Sequence, residues 1–291
     1  MAGFFGFFDY NKPGKGVDKN APAKCPFFLF LALTLRKFWL LILLNLIYFV
    51  ILLPLLTAAY FLLYGYMASL IMQTGAQTAG GVDPSQVTLP LLPGMLLTVA
   101  QSLPIWLSAA LLAASAVFYG PASCGLAFML RNFALQEHVW VSDFFVKLKE
   151  NFKQGLALGL TDILLLCLFA FDLTYAAGSG ASFILLILRY VSGALLVIYL
   201  FMRNYFFIMA VTFRLKVSQI FKNAFFLAAL GWKRNLLILL INGALFALVL
   251  FVSQFAELVL APVLLFSLTG FVSVFTCFPV VKKYLLPPPT E

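Results

Sequence analysis

Long apolar runs separated by short polar breaks set the pattern of this chain. Phe38 to Leu63 is nearly unbroken, and further runs cover about 97–119, 156–177, 181–202, 235–254 and 258–280. Each run approaches or exceeds the ~20 residues that carry a helix across about 30 Å of hydrocarbon. Inside lipid the backbone must satisfy its own hydrogen bonds, so such runs predict helices. The expected fold is all-α, a polytopic membrane helix bundle of about six transmembrane helices. Pro54 is expected to bend the first span, and residues 73–90, with Gly80, Gly81, Asp83 and Pro84, read as a loop. The apolar stretch 91–130 is too long for one span and awkward for two. Residues 88–96 read as an interfacial approach and 97–119 as the span, with a break or kink at Gly120-Pro121. The chain thus divides into an N-terminal segment 1–37 with an interfacial helix, a six-span domain 38–280 and a tail 281–291.

The polar breaks carry a pattern of their own. Between 131 and 155, Val141, Phe144, Phe145, Leu148 and Phe152 recur at helical spacing, with Asp143, Lys147, Glu150 and Lys153 on the other face. With Ser142 as the expected N-cap, this predicts an amphipathic helix lying on the membrane surface. Similar pieces precede two other spans, at 27–35 and 217–230. Each odd-numbered span then starts from a basic edge and carries one polar residue at a similar depth: Asn45, Asp162 or Asn242. The pattern predicts three copies of one unit, a surface helix, an outward span and an inward span. If the odd spans meet, these three side chains form a polar cluster near mid-membrane. The alternative for the two asparagines is ordinary hydrogen bonding between helices.

Charge fixes the expected orientation. Of the 19 Lys and Arg, all but Arg189 fall in the N-terminal segment, the breaks 131–153 and 203–234, or the tail. The positive-inside rule puts those segments, both termini and the amphipathic helices in the cytoplasm. The net charge of +9 sits at the ends of apolar runs, which points to a bilayer with anionic head groups as partner rather than to nucleic acid. No platform of interleaved aromatic and basic residues for single-stranded nucleic acid is present. Residues 1–26 lack the pattern of a cleavable signal, so the first internal span is expected to direct insertion. Composition agrees with all of this: 64% of residues are hydrophobic and 10% charged, against roughly 25% charged in soluble domains.

Little of the sequence reads as reaction chemistry. His138 stands alone beside Glu137, and Cys25, Cys124, Cys167 and Cys277 are scattered with no paired spacing. The signatures of zinc proteases, serine hydrolases and phosphate-binding loops do not occur. No catalysis, cofactor or metal is expected. Asp162 and Arg189 stand out, because a bare charge at the bilayer centre costs about 2.5–3.5 kcal/mol. Arg189 could pair with Asp162 or with Asp172, pinning two spans, or either charge could contact a solute. Gly155 and Gly159 form a GxxxG at the start of the third span, which permits close helix contact. Asn45, Asp162, Arg189 and Asn242 are therefore the candidate intramembrane polar contacts.

Several segments together resemble the YesL-like family of bacterial integral membrane proteins. They are YNKPGKGVDKNAP from Tyr10 to Pro22, Arg36-Lys37-Phe38-Trp39, Gly120-Pro121-Ala122, Arg131-Asn132-Phe133, Asp143-Phe144-Phe145 and ENFKQG from Glu150 to Gly155. The chain departs from the family across about 64–105, where it is longer than the usual short connection. The resemblance implies a multi-span protein of the cytoplasmic membrane in Gram-positive-type bacteria, and a suspected role near carbohydrate uptake. The family has no established functional residues to carry over. Two readings stand side by side: a non-enzymatic accessory or scaffold component with a membrane or cytoplasmic protein partner, and a small-solute transporter with a polar path through mid-membrane.

Overall fold

A computed structural model describes residues 25–75, 102–178, 183–252 and 259–285. Among them the chain is all-helical: α1 (Pro26–Arg36), α2 (Phe38–Gly75), α3 (Ile105–Ala134), α4 (Val141–Glu150), α5 (Phe152–Gly178), α6 (Phe183–Thr212), α7 (Val217–Leu230), α8 (Trp232–Val252) and α9 (Phe266–Leu285), the last entered through a π-helical turn at Ala261–Leu265. Among the described residues six helical stretches are long and apolar enough to cross a bilayer: Phe38–Ala59, Ile105–Ala134, Phe152–Leu173, Ile187–Thr212, Trp232–Val249 and Ala261–Leu285. The protein is a polytopic membrane bundle.

Three span boundaries differ most from expectation. The first helix does not end at Leu63 but runs to Gly75, into the stretch read as a loop. The second span is not 97–119 with a break at Gly120-Pro121; one helix runs from Ile105 to Ala134 with Pro121 inside it. Pro121 removes one backbone donor, but within a bilayer a broken helix has no water to which its freed groups could turn. The proposed approach at 88–96 lies outside the described residues. The fourth span does not stop at 202 but continues to Thr212. The apolar run Tyr205–Val211 carries the helix past Arg203 and Asn204, and this places Arg203 inside a span rather than in a loop.

The three short helices follow a common plan. α1, α4 and α7 are each separated from the next span by a single residue: Lys37, Asn151 or Gly231. α4 begins two residues earlier than the expected N-cap implies. Its N-cap is Trp140, not Ser142, and the Trp140 N–H donates to the Asp143 carboxylate at 2.8 Å. At α7 the Lys216 N–H donates to Gln219 Oε1 at 2.9 Å in the same way. A side chain at the third helical position thus reaches back to a backbone donor that the helix leaves free. Only part of the expected apolar stripe of α4 is inward: Phe144 is fully buried, whereas Phe145 is exposed.

The basic ends collect at one end of the bundle. Lys37 lies over the Phe133 ring at 5.5 Å, and Arg131 and Lys147 both lie over Phe128. Arg131 also donates to Thr212 Oγ1 at 3.2 Å, beside the last carbonyls of α6, where a cation is favoured. At the end of α3, Gln136 takes a left-handed backbone conformation with φ 61°. Gln136 N–H donates to Phe133 O at 3.1 Å and Glu137 N–H to Asn132 O at 2.9 Å, a pairing that usually employs glycine. Gln136→Gly is expected to raise stability by about 0.5–1 kcal/mol in an unfolding titration in micelles. An unchanged or lower stability would show that the Arg36 to Gln136 side-chain bond (3.2 Å) outweighs the backbone cost.

α3 is the centre of the bundle and packs against α2, α4, α5, α6 and α9. Its tightest neighbour is α5. A Cβ on Gly159 would lie 2.6 Å from the Gly120 Cα, and one on Gly155 would lie 2.9 Å from the Pro121 Cα. The GxxxG at Gly155 and Gly159 therefore seats the Gly120-Pro121 backbone directly. This crossing brings Tyr119, the neighbour of Gly120, to Asp162, three residues beyond Gly159.

Candidate functional site

Asp162 on α5 is fully buried and collects donors from two other spans. Tyr119 of α3 donates a short hydrogen bond to Oδ2, and Tyr199 of α6 donates to Oδ1 at 2.6 Å. Arg203 Nε lies 3.0 Å from Oδ1 and 2.9 Å from Oδ2, forming the ion pair, while Arg203 Nη2 donates to the Tyr119 hydroxyl at 2.6 Å. A lone carboxylate in hydrocarbon is expensive, and here one guanidinium and two phenols answer it. Tyr199 and Arg203 are four residues apart and so share one face of α6. The network extends to α2 through Tyr48, whose hydroxyl is 2.8 Å from Ser123 Oγ.

Arg203, and not Arg189, is the partner of Asp162. In an antiparallel pair of helices, partners must lie at equal depth from the shared edge. Asp162 is ten residues in from Phe152, and Arg203 is nine residues back from Thr212. Arg189 lies about 21 Å further along α6. It is exposed, and among the described residues no ion pair joins it to Asp162 or Asp172.

The expected cluster of Asn45, Asp162 and Asn242 does not form as a hydrogen-bonded unit. Asn45 Nδ2 donates to the carbonyls of Ala261 (3.0 Å) and Pro262 (2.6 Å), and its Oδ1 accepts the Ser267 N–H at 2.7 Å. A π-turn breaks the regular ladder of backbone bonds, and Pro262 contributes no N–H to it. Asn45 supplies the missing partners. Asn45→Leu is expected to cost about 2–3 kcal/mol in micelle unfolding, because two carbonyls and one N–H lose their partner. A stability equal to wild type would mean that the wide turn satisfies these groups unaided. Asn242 on α8 donates to Ser273 Oγ at 3.0 Å and, more weakly, to Thr269 O at 3.4 Å, both on the last span.

What joins Asn242 to the Asp162 network is a cavity of about 520 Å³ on the axis of the bundle. All six spans reach it. Its wall is mostly apolar, interrupted by Tyr48, Tyr119, Arg203, Asn204 and Asn242 and by Thr269 and Ser273 of α9. A concave apolar site with a few convergent polar groups is the usual form of a small-molecule site, and the volume falls in the range of roughly 300–1,000 Å³ such sites occupy. Two polar groups on this wall are not fully used among the described residues: Arg203 Nη1 has no hydrogen bond, and Asn204 makes none with its side chain. Asn242 Oδ1 also has no partner, but the atom is buried away from the cavity.

Sequence reasoning found Asp162 and Asn242 but missed Arg203, Asn204, Tyr119 and Tyr199. A signal was present for two of them, since Tyr199 and Arg203 have same-face spacing within a run that stays apolar to Val211. Cys124 and Cys277 are buried and Cys25 and Cys167 exposed, and all four thiols are free. Among the described residues no three His, Cys, Asp or Glu gather as a metal site. No protein-family model, curated protein or solved structure matches the chain.

Proposed function

We propose that the protein is a small-solute transporter whose binding site is the axial cavity, set in the bacterial cytoplasmic membrane with both termini in the cytoplasm. The observation that carries this reading is one cavity, reached by all six spans, with Arg203, Asn204 and Asn242 on its wall. A bundle that served only as a scaffold would gain stability by filling that volume with side chains. The clustering of basic residues at one end supports the orientation, and the resemblance to YesL-like proteins supports a bacterial membrane and a solute connected with carbohydrate uptake. Nothing in this reading calls for catalysis.

A second reading, a non-enzymatic accessory or scaffold component for an uptake system, draws on the surface helices. α1 exposes Phe27 and Phe28, and α7 exposes Phe225 and Phe226, apolar faces that a membrane protein partner could cover.

Thiol labelling distinguishes the two. In a variant lacking the native cysteines, Asn204→Cys and Ser273→Cys are expected to react with a small membrane-impermeant reagent. Leu164→Cys, whose side chain is exposed on the apolar surface, is expected to stay protected in the bilayer. Lys149→Cys should label in inverted but not in right-side-out vesicles. Protection of both cavity positions would overturn the transport reading and turn attention to a partner protein.

A further inference from the structure

Seen from the cavity, the two halves of the buried ion pair are not equivalent. The Asp162 side chain is 0% exposed, while that of Arg203 is 38% exposed. Both carboxylate oxygens are covered by Tyr119, Tyr199 and Arg203 Nε. Arg203 lines the cavity and keeps Nη1 without a partner among the described residues. The pair is neutral as a whole, yet it presents only its positive, donor edge to the cavity.

The acceptor stands next to Arg203 on the same helix. Asn204 also lines the cavity, and its side-chain amide, without a hydrogen bond among the described residues, can both donate and accept. Asn242 also lines the cavity, but its Oδ1 is closed off from it.

We infer that the cavity takes a small organic monoanion that also carries hydroxyl or amino donors, with its anionic group on Arg203 Nη1 and a donor on the Asn204 amide oxygen. This rests on the transport reading above and narrows it. An anionic group meets Arg203 with charge as well as a hydrogen bond and can accept two parallel guanidinium donors, whereas a neutral polyol meets it with a hydrogen bond alone. A cation would face the guanidinium directly. A dianion would bring a second negative charge that no further cation among the described wall residues answers.

Three probes of similar size separate the parts of this claim: gluconate (anion with hydroxyls), hexanoate (anion alone) and sorbitol (hydroxyls alone). Each is added at the same millimolar concentration and constant ionic strength to the purified full-length protein in detergent, and melting is followed. Gluconate is expected to raise Tm by about 3–5 °C at ten times its Kd, with clearly smaller shifts from the other two. The double variant Asp162→Asn with Arg203→Gln, which keeps a neutral hydrogen-bonding pair, should lose the gluconate shift. Should that variant not fold, Asn204→Asp, which places a carboxylate on the cavity wall beside Arg203, must abolish the shift instead. Sorbitol acting as strongly as gluconate overturns the anion, and hexanoate doing so overturns the donor. A shift with phosphatidylglycerol but not with gluconate overturns the soluble ligand in favour of a lipid head group. If no probe acts while the cavity cysteines still label, this inference alone fails. If no probe acts and those cysteines are protected, the transport reading fails with it.

Discussion

Asp162→Ala is expected to lower the unfolding free energy by about 3 kcal/mol, measured by denaturant or steric-trap unfolding in micelles. Removing one member of a buried pair typically costs about 3–5 kcal/mol, because the other charge is stranded. The low end applies here because Arg203 is 38% exposed, so solvent in the cavity can answer part of its charge. Tyr119 and Tyr199 lose their acceptor in the same step. Asp162→Asn, which keeps an acceptor oxygen but no charge, should fall between wild type and Ala. The double variant Asp162→Leu with Arg203→Met should recover most of the loss, since paired apolar replacements of a buried ion pair are often neutral or stabilising. A double variant as unstable as Asp162→Ala would place the loss in the tyrosine contacts rather than in the stranded guanidinium.

The second large effect is steric. Gly159→Val is expected to cost about 3 kcal/mol or more in the same assay, at the upper end of overpacking effects. Even a Cβ at Gly159 would meet the Gly120 backbone, at 2.6 Å from Cα and 2.7 Å from N, and backbone cannot swing aside as a side chain can. The helices must separate, and separation draws Tyr119 away from Asp162. Gly193 is the control. A Cβ there meets nothing within 4 Å, so Gly193→Ala should be neutral or stabilise by up to about 1 kcal/mol through helix propensity. Equal losses at the two glycines would mean that the α3–α5 crossing is looser than these distances state.

The spans and the short helices before them were legible because both are one-dimensional patterns, in run length and in helical period. The polar site was legible only in part. Asp162 announced itself as a lone carboxylate in an apolar run, but its partner did not. Arg203 lies beside Asn204 near the end of a 20-residue window, where a basic residue usually marks a membrane boundary. Local polarity there hides an apolar run that resumes at Tyr205 and lasts to Val211. Tyr119 and Tyr199 were hidden for a different reason: a phenol on an apolar helix looks like packing until a carboxylate stands opposite. The match of depth between Asp162 and Arg203 belongs to the antiparallel arrangement, not to either helix. Asn45 was singled out correctly as polar, yet its role depends on a wide turn more than 200 residues away, and no local pattern reports such a turn.

That wide turn at Ala261–Leu265 also has a meaning for chain length. A π-turn absorbs one residue more than an α-turn without rotating the helix beyond it, so the last span carries a single residue of slack, and Asn45 is the clasp that keeps it from being taken up. Thr269 and Ser273 face Asn242 only while this arrangement keeps the two ends of the helix in phase. Shortening the chain by one residue, at Val263 for instance, would close the wide turn into ordinary helix and leave that phase intact. The clasp would then have nothing to hold. Loss of Asn45 and loss of one residue from the last span are thus two halves of one change, each harmful alone and compatible together.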